Sequence, residues 1–314
     1  MQIFKLKPYC VQTIWGGNNL YTKYGKNDFQ NMAEAWDLSG YPGKESKALG
    51  GIYDGKTITS IIEEKGRACL GTKAANFDKF PILMKFIDAK QSLSIQVHPD
   101  DDTAKLLGAY GGKTEMWVIC DCEPGAFLYM GVNKELTKEQ FRDAILDGSI
   151  TDHLNKVYVK PGEAYFISAG TIHAIGAGIT ICEIQQTSDT TYRLYDFKRK
   201  DKDGNERELH IEQSMVASKL YPTNDFYVTP EKVGNELKLV NCPLFNVSKI
   251  EVEECEAVNV GSDSFATFTV IEGEGYIKSG SVMIQVSKGN SVFAFADSGK
   301  IELCGKMTVV KATL

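Results

Sequence analysis

Short runs of apolar or alternating residues, bounded by glycine, proline and aspartate, dominate the first two thirds of the chain. They cover 81–87, 93–97, 115–120, 126–130, 157–159, 164–167 and 179–184. An alternation with a period of two places every second side chain on the same face of a strand. Many short strands separated by turn residues are typical of an antiparallel sandwich or barrel.

Apolar residues at helical spacing are less frequent. They occur over 58–69, 102–108 and 137–147, and a further short amphipathic stretch follows at 149–155. The segment 137–147 has the clearest signal, because Thr137 and Gln140 match a capping box in front of an apolar face. The pattern therefore predicts a mainly β protein with a small helical portion.

The pattern breaks over 221–235, where prolines, glycine and asparagines cluster, and we interpret this stretch as a connection between two units. Alternation resumes beyond it, in 265–271, 282–286 and 291–295. The order of residue types at 162–167 resembles that at 289–294, which indicates two related barrels. We therefore predict a first domain over 1–235 and a second β domain over 236–314.

Composition and charge exclude several classes of protein. The chain has 314 residues with 43% hydrophobic and 24% charged residues, which is an ordinary globular composition. No apolar run approaches the ~20 residues of a membrane-spanning helix, and the N-terminus has no export signal. The net charge of −6 argues against nucleic acid as a partner. We expect a cytoplasmic protein without membrane contact, as a monomer or weak homodimer.

Cysteine usage supports the same compartment. The eight cysteines are scattered and contain no C-x-x-C pair. Cys120 and Cys122 stand two apart on one face of a predicted strand, which is poor geometry for a zinc knuckle. In a chain without an export signal we expect all eight to be reduced and mostly buried thiols.

Candidate chemistry begins with the four histidines, at positions 98, 153, 173 and 210. Gln96 and His98 share one face of a predicted strand, Glu115 begins the next strong strand, and His173 follows a glycine-rich turn. Such residues on neighbouring strands could hold a divalent metal with one position open. The N/O donor set suits zinc best and would also accept manganese, iron or cobalt.

Other interpretations of these residues remain open. A strand histidine is often a core or surface residue, a glutamate at a strand start is often a solvated charge, and spacing does not show that the three meet. His153 and His210 lie in polar contexts and have no predicted role. The stretch 182–197 is polar although it lies between strand runs, so it either is a solvated loop or lines a pocket. In a pocket, Arg193 would be a permanent cation able to stabilise an oxyanion.

Six segments together resemble a known family. They are TIWGG at 13–17, EAW at 34–36, SIQVHPDD at 94–101, GKTEMWVI at 112–119, SAGTIHAIGAG at 168–178 and QQTSDTTYRLYDF at 185–197. In this order they resemble the type I mannose-6-phosphate isomerase family in its short bacterial form. The match spans residues ~10–200, and a chance combination of so many segments is improbable.

The resemblance implies a cupin fold, in which jelly-roll barrels hold one Zn²⁺ per chain. The implied metal ligands are Gln96, His98, Glu115 and His173, and the implied catalytic residue is Arg193. The implied phosphate-binding residues are Lys85, Ser94 and Lys113. The second cupin motif is matched by Gly162, Gly170 and His173, with Ser168 where proline is usual. The helical portion is short, about 132–156, and the C-terminal unit resembles a cupin that has lost its ligands.

The implied activity is the zinc-dependent interconversion of mannose 6-phosphate and fructose 6-phosphate through a cis-enediol. The proton-transferring base remains open between Lys113, Glu183, Asp189 and a metal-bound hydroxide. Two other functions are compatible with the same residues. One is a metal-dependent cupin oxygenase, and the other is a non-catalytic regulator that binds sugar phosphates.

Overall fold

The computed structural model describes residues 2–200 and 203–314, and strands make up most of their regular structure. The strands before the predicted connection are β1 (Ile3–Lys7), β2 (Tyr9–Val11), β3 (Glu34–Leu38), β4 (Lys47–Leu49), β5 (Ile82–Ala89), β6 (Ile95–Val97), β7 (Glu115–Cys122), β8 (Phe127–Val132), β9 (Leu154–Tyr158), β10 (Ala164–Ile167), β11 (His173–Ile175), β12 (Ile179–Gln186) and β13 (Tyr192–Tyr195). The later strands are β14 (Glu231–Val233), β15 (Glu236–Asn241), β16 (Asn246–Val252), β17 (Cys255–Val260), β18 (Ala266–Ser279), β19 (Val282–Ser287), β20 (Ser291–Ala294) and β21 (Gly299–Thr313).

Helices are short and lie between the strands. They are α1 (Asn19–Tyr24), α2 (Ile58–Lys65), α3 (Asp101–Leu106), α4 (Lys138–Asp147) and α5 (Ile211–Ala217), with 3₁₀ turns at Gly51–Tyr53, Arg67–Leu70, Thr72–Asn76 and Ser149–His153. The capping box predicted before α4 is present: Thr137 accepts from the backbone of Gln140, whose side chain accepts from the backbone of Thr137. In the described residues no helix is long and apolar enough to cross a membrane.

Two antiparallel sheets form the first barrel. One has six strands in the order β10-β7-β12-β5-β3-β2, and the other has five in the order β13-β6-β11-β8-β9. Apolar side chains of both sheets, such as Trp117 and Ile181 from one and Leu128 and Ile175 from the other, share one buried core. Two facing sheets around such a core are the jelly roll that the family resemblance implies.

Strand alternation divides the six-stranded sheet into two buried faces. On β5, Met84 and Phe86 pack into the core cluster shared with the C-terminal sheet, whereas Ile87 packs inside the barrel. Lys85 lies on the same side as Ile87 because the two are two residues apart. The sheet is therefore buried on both sides, and its inward-facing residues Lys85 and Glu183 line one cavity.

The C-terminal sheet is built partly from the N-terminus. It has ten strands, and β1 pairs with β20 while β4 pairs with β1. Phe4 of β1 stands opposite Phe293 of β20. The strand β14 falls inside the stretch interpreted as a connection. The division into 1–235 and 236–314 stays a prediction, and the pairing of β1 shows that the second sheet includes residues from the first range.

Two expectations about local structure need correction. The stretch 149–155 is not a helix throughout, because β9 begins at Leu154, which pairs with Val132 of β8. Cys255 and Cys304 form a disulfide rather than remaining reduced, since β17 and β21 place them directly opposite each other. The six other cysteines are free in the described residues, and of these only Cys182 is fully buried.

Candidate metal centre and active-site cavity

A cavity of about 340 Å³ lies between the two sheets of the first barrel. The residues that line it include Lys85 of β5, Gln96 of β6, Glu183 of β12 and Arg193 of β13. Two further predicted substrate-binding residues, Ser94 and Lys113, also line it. The structure therefore brings residues that are up to about a hundred positions apart in the sequence to one concave site.

His98, Glu115 and His173 form a compact buried group beside this cavity. One donor atom from each lies within 4.8 Å of the others, and each residue is at most 1% exposed. Nε2 of His98 is 3.5 Å from Oε2 of Glu115, and Nε2 of His173 is 3.2 Å from Oε1. The amide nitrogen of Gln96 is 3.4 Å from Nε2 of His173. All four predicted ligands therefore converge.

Sheet register explains why these side chains meet. His173 is paired directly with Gln96 across β11 and β6, and Gln96 is paired with Arg193 across β6 and β13. Glu115 is the first residue of β7 in the opposite sheet, where it is paired with Gln185. Inward-facing residues from both sheets are thus brought to one end of the barrel.

Backbone carbonyls orient both imidazole rings. Nδ1 of His98 donates a hydrogen bond to the carbonyl of Thr190, and Nδ1 of His173 donates to the carbonyl of Thr171, each at 2.9 Å. With the proton on Nδ1, Nε2 of each ring carries a lone pair that faces Glu115. Histidines that bind metals are held in the same way, by a hydrogen bond from the second ring nitrogen.

The donor atoms fit a divalent cation. Oε1 of Glu115 is buried without a hydrogen-bond partner in the described residues. The atom that faces it, Nε2 of His173, carries a lone pair and donates no hydrogen bond to it. A cation bound between these electron-rich atoms would stabilise their close approach. Two imidazoles, a carboxylate and an amide form a donor set that zinc accepts. These residues therefore fit the metal that the resemblance implies.

Lys113 provides positive charge next to this group. Its ammonium contacts Oε2 of Glu115 and lies 3.0 Å from Nε2 of His98. Burial would raise the pKa of Glu115, but Lys113 and the two histidines outweigh burial and hold it well below its usual range. Burial and Lys113 hold the pKa of His98 well below its ordinary value, so its imidazole is neutral at physiological pH. The site therefore combines an ionised carboxylate with a neutral imidazole, as metal binding requires.

A second buried ionic group forms the adjoining wall. Glu183 accepts a hydrogen bond from Nε1 of Trp117 at 2.9 Å and lies 3.1 Å from the ammonium of Lys85, its direct neighbour in the sheet. Burial would lower the pKa of Lys85, but Glu183 and Glu34 reverse this and raise it. Burial and the nearby Glu115 raise the pKa of Glu183. Lys85 is therefore a cation whose charge is already compensated by two carboxylates.

Arg193 lies on the opposite sheet, with further arginines nearby. Its Nη1 donates to the carbonyl of Glu208 at 2.8 Å, and its Nε is buried without a hydrogen-bond partner in the part of the chain described. Burial and the charge of Arg207 lower the pKa of Arg193. Arg199 and Arg207 both bind the single carboxylate of Asp196. This end of the cavity therefore carries excess positive charge.

Sequence reasoning missed several residues of the cavity. Glu34, Lys44 and Arg207 line it, although no role was predicted for them. Glu34 lies in the EAW segment of the family resemblance, which could have indicated it as a site residue. Lys44 and Arg207 are single charges in loops, and no periodic pattern distinguishes them from other loop charges. His210 also has a structural contact, because its Nδ1 accepts a hydrogen bond from the backbone of Arg193 at 3.1 Å.

The fold and the site define a cupin protein with a His–Glu–His group suited to a metal ion beside a charged cavity. Comparisons with known proteins agree. Residues 3–117 match the model of the phosphomannose isomerase type I catalytic domain, and residues 235–314 match that of the mannose-6-phosphate isomerase cupin domain. The chain belongs to the type I mannose-6-phosphate isomerase family, whose members are enzymes.

Individual relatives match over almost their whole length. The chain is 35% identical to the mannose-6-phosphate isomerase ManA of Bacillus subtilis, over 95% of both chains. It is 34% identical to the mannose-6-phosphate isomerase of Streptococcus mutans, over 95% of this chain and 96% of that protein. The solved mannose 6-phosphate isomerase of Bacillus subtilis superposes with a TM-score of 0.90 at 30% identity and covers both chains completely. The predicted fold and family are thereby confirmed.

Proposed function

We propose that this chain interconverts mannose 6-phosphate and fructose 6-phosphate through a cis-enediol, with one Zn²⁺ bound per chain. The observation that carries the proposal is the convergence of two imidazoles and an ionised carboxylate on one buried point beside a cation-lined cavity. Membership of the isomerase family supports the same reaction. An anionic sugar phosphate matches the positive charge of the cavity.

His98, Glu115 and His173 would hold the metal ion, with the amide of Gln96 as the fourth ligand. A bound divalent ion supplies Lewis-acid stabilisation of negative charge on the sugar oxygens. The residues themselves determine where that charge is accepted. Because Thr190 and Thr171 fix both rings, the ligands need no reorganisation when substrate enters.

Arg193 would stabilise the oxygen charge that develops as the carbon-bound proton leaves. It is half-buried, it is paired across the sheet with the ligand Gln96, and its guanidinium keeps a proton at every physiological pH. A fixed cation in a cavity drier than bulk water stabilises such charge more strongly than an exposed one. Arg193 is therefore proposed as a catalytic residue rather than a metal ligand.

Proton transfer between C1 and C2 needs a group that reaches the carbon-bound hydrogen. Lys113 and Glu183 are both buried in the cavity wall and lie 3.9 Å apart. Asp189 is exposed and is ion-paired with Lys44, so it is a weaker candidate. We therefore assign proton transfer to Lys113 and Glu183, because a proton has only a short distance to travel between their side chains.

A coupled assay with mannose 6-phosphate tests the proposal. Purified protein should produce fructose 6-phosphate at the same rate with and without O₂. The oxygenase alternative predicts O₂ consumption instead, and the regulator alternative predicts sugar-phosphate binding without turnover. Absence of fructose 6-phosphate from zinc-loaded protein would contradict the proposal.

A further inference from the structure

An ion pair lies at the mouth of the cavity. Nζ of Lys44 is 2.6 Å from Oδ2 of Asp189, and both residues line the cavity. We propose that Lys44 binds the phosphate group of the substrate, which displaces Asp189 from it, so that Lys44 determines specificity for phosphorylated sugars. This inference rests on the proposed function and extends it by naming the residue that receives the anionic end of the substrate.

The exposed fraction of each side chain shows whether the residue lies at the mouth or at the deep end of the cavity. The side chains of Lys44 and Asp189 are 32% and 36% exposed, whereas those of Lys113 and Glu183 are 5% and 2% exposed. The metal group, with Glu115 fully buried, adjoins the deep end through Lys113. Because C1 and C2 react at that end, the phosphate on C6 must point toward the mouth. Lys44 lies there and Lys113 does not.

Lys44 and Lys85 differ in the free energy that is needed to release a carboxylate partner. Lys85 is buried between Glu34 and Glu183, and removing a partner from a buried pair is strongly unfavourable because it leaves an uncompensated buried charge. The partly exposed pair Lys44–Asp189 contributes little free energy, since water solvates both groups after separation. A phosphate dianion offers more charge and more acceptor oxygens than Asp189. Replacement of the carboxylate by a phosphate group is therefore favourable at Lys44 and unfavourable at Lys85.

Aromatic rings hold Lys44 at the mouth when Asp189 is released. Its ammonium lies 4.6 Å from the ring centroid of Trp36 and 5.7 Å from that of Tyr41. A cation over aromatic faces is attracted by them and has fewer conformations to lose on binding an anion. Trp36 also lines the cavity, so this lysine is directed toward its interior rather than toward bulk solvent.

The test compares Lys44→Met with wild type and with Lys44→Arg. Michaelis constants and turnover numbers for mannose 6-phosphate are measured together with the inhibition constant of inorganic phosphate. Loss of a charged hydrogen bond should raise both KM and the inhibition constant by roughly tenfold or more. Turnover should fall by less than about threefold because the interaction is made equally in ground and transition states. Lys44→Arg should recover most of the affinity.

Lys56→Met is the matched control, since Lys56 forms a comparably exposed pair with Glu64 but does not line the cavity. It should leave KM and the inhibition constant unchanged. Asp189→Asn should lower the inhibition constant of phosphate, because a competing anion is removed. Unchanged KM and inhibition constant in Lys44→Met would overturn the inference, as would a lower kcat at constant KM. If wild type shows no turnover, the proposed function fails, and titration with inorganic phosphate alone then decides the role of Lys44.

Discussion

At the scale of single residues, the metal group depends on which ring nitrogen carries the proton. In both His98 and His173, Nδ1–H donates a hydrogen bond to a backbone carbonyl, so that Nε2 is the ring nitrogen that faces Glu115. The carbonyl that orients His98 belongs to Thr190, the residue next to Asp189. The loop that contributes to the mouth of the cavity thus also fixes a proposed ligand.

Replacing His173 with Asn should remove the bound metal and the isomerase activity together. The substituted amide is shorter than the imidazole and cannot reach Glu115 while it also keeps the contact with Thr171. Losing one of three strong ligands should lower metal affinity by more than about a hundredfold, beyond the 10–100-fold typical of residues that only support ligands. Metal content by mass spectrometry checks this, and His153→Asn is the control. Full metal content in His173→Asn would exclude this residue as a ligand.

Unlike His173→Asn, Arg193→Ala should lose activity while it keeps the bound metal. Removing a charge that stabilises only the transition state should lower kcat by about 10²–10³ while metal content stays at the wild-type value. Coupled kinetics and metal analysis on the same preparation measure both. Arg142→Ala is a suitable control because Arg142 forms an exposed pair with Glu212. Parallel loss of metal and activity in Arg193→Ala would instead give Arg193 a structural role.

The sequence contains strong signals for some site residues and none for others. His98, Glu115 and His173 lie in strand-like segments, where their residue types suggest ligands and the family resemblance assigns them. Lys44 and Arg207 reach the cavity from loops, and which loop charge faces a cavity depends on tertiary structure alone. These residues could not be predicted from local pattern.

At the scale of elements, the local pattern of apolar and polar residues predicts individual strands and caps but not which distant strands pair. The capping box before α4 and the inward positions of β5, β7 and β12 follow from local sequence. The pairing of β1 with β20 joins residues almost three hundred positions apart, and no local pattern reports such a contact. The same is true of the Cys255–Cys304 pair, whose register follows from β17 lying beside β21.

This disulfide should add stability to the C-terminal sheet without affecting catalysis. It closes a loop with a sequence separation of 49, for which loop-closure entropy gives about 4 kcal/mol as an upper value. Cys255→Ser should therefore lower the thermal midpoint under oxidising conditions by several degrees, and a reductant should lower that of wild type equally. Cys242→Ser, which alters a free cysteine, serves as control. Identical midpoints for Cys255→Ser and wild type would show that the bond contributes nothing.

At the scale of the whole molecule, an aromatic cluster joins the barrel to the C-terminal sheet. Phe293 of β20 contacts the rings of Phe4, Phe80 and Phe265 at centroid distances of 5.3–6.4 Å. A buried polar link lies close by: Asp37 binds Lys26 and accepts a hydrogen bond from Ser291 of β20. The two halves are therefore packed through a core that neither could complete alone.

Phe293→Ala should destabilise the protein by about 3–5 kcal/mol, because it leaves a cavity at this junction. Denaturant unfolding followed by tryptophan fluorescence measures the change, and the tryptophans Trp15, Trp36 and Trp117 all lie in the first barrel. A shift of their signal therefore reports coupling between the halves. Phe29→Ala, at a ring that is 41% exposed, should have little effect. An unchanged fluorescence transition in Phe293→Ala would mean that the halves unfold independently.

The most direct test of the account is a titration of metal against activity. Protein stripped with a chelator should lose turnover of mannose 6-phosphate, and added Zn²⁺ should restore it in proportion until one equivalent per chain is bound. His173→Asn should regain no activity in the same titration. Full turnover in stripped protein, or recovery that bears no relation to one equivalent, would contradict a catalytic metal at His98, Glu115 and His173.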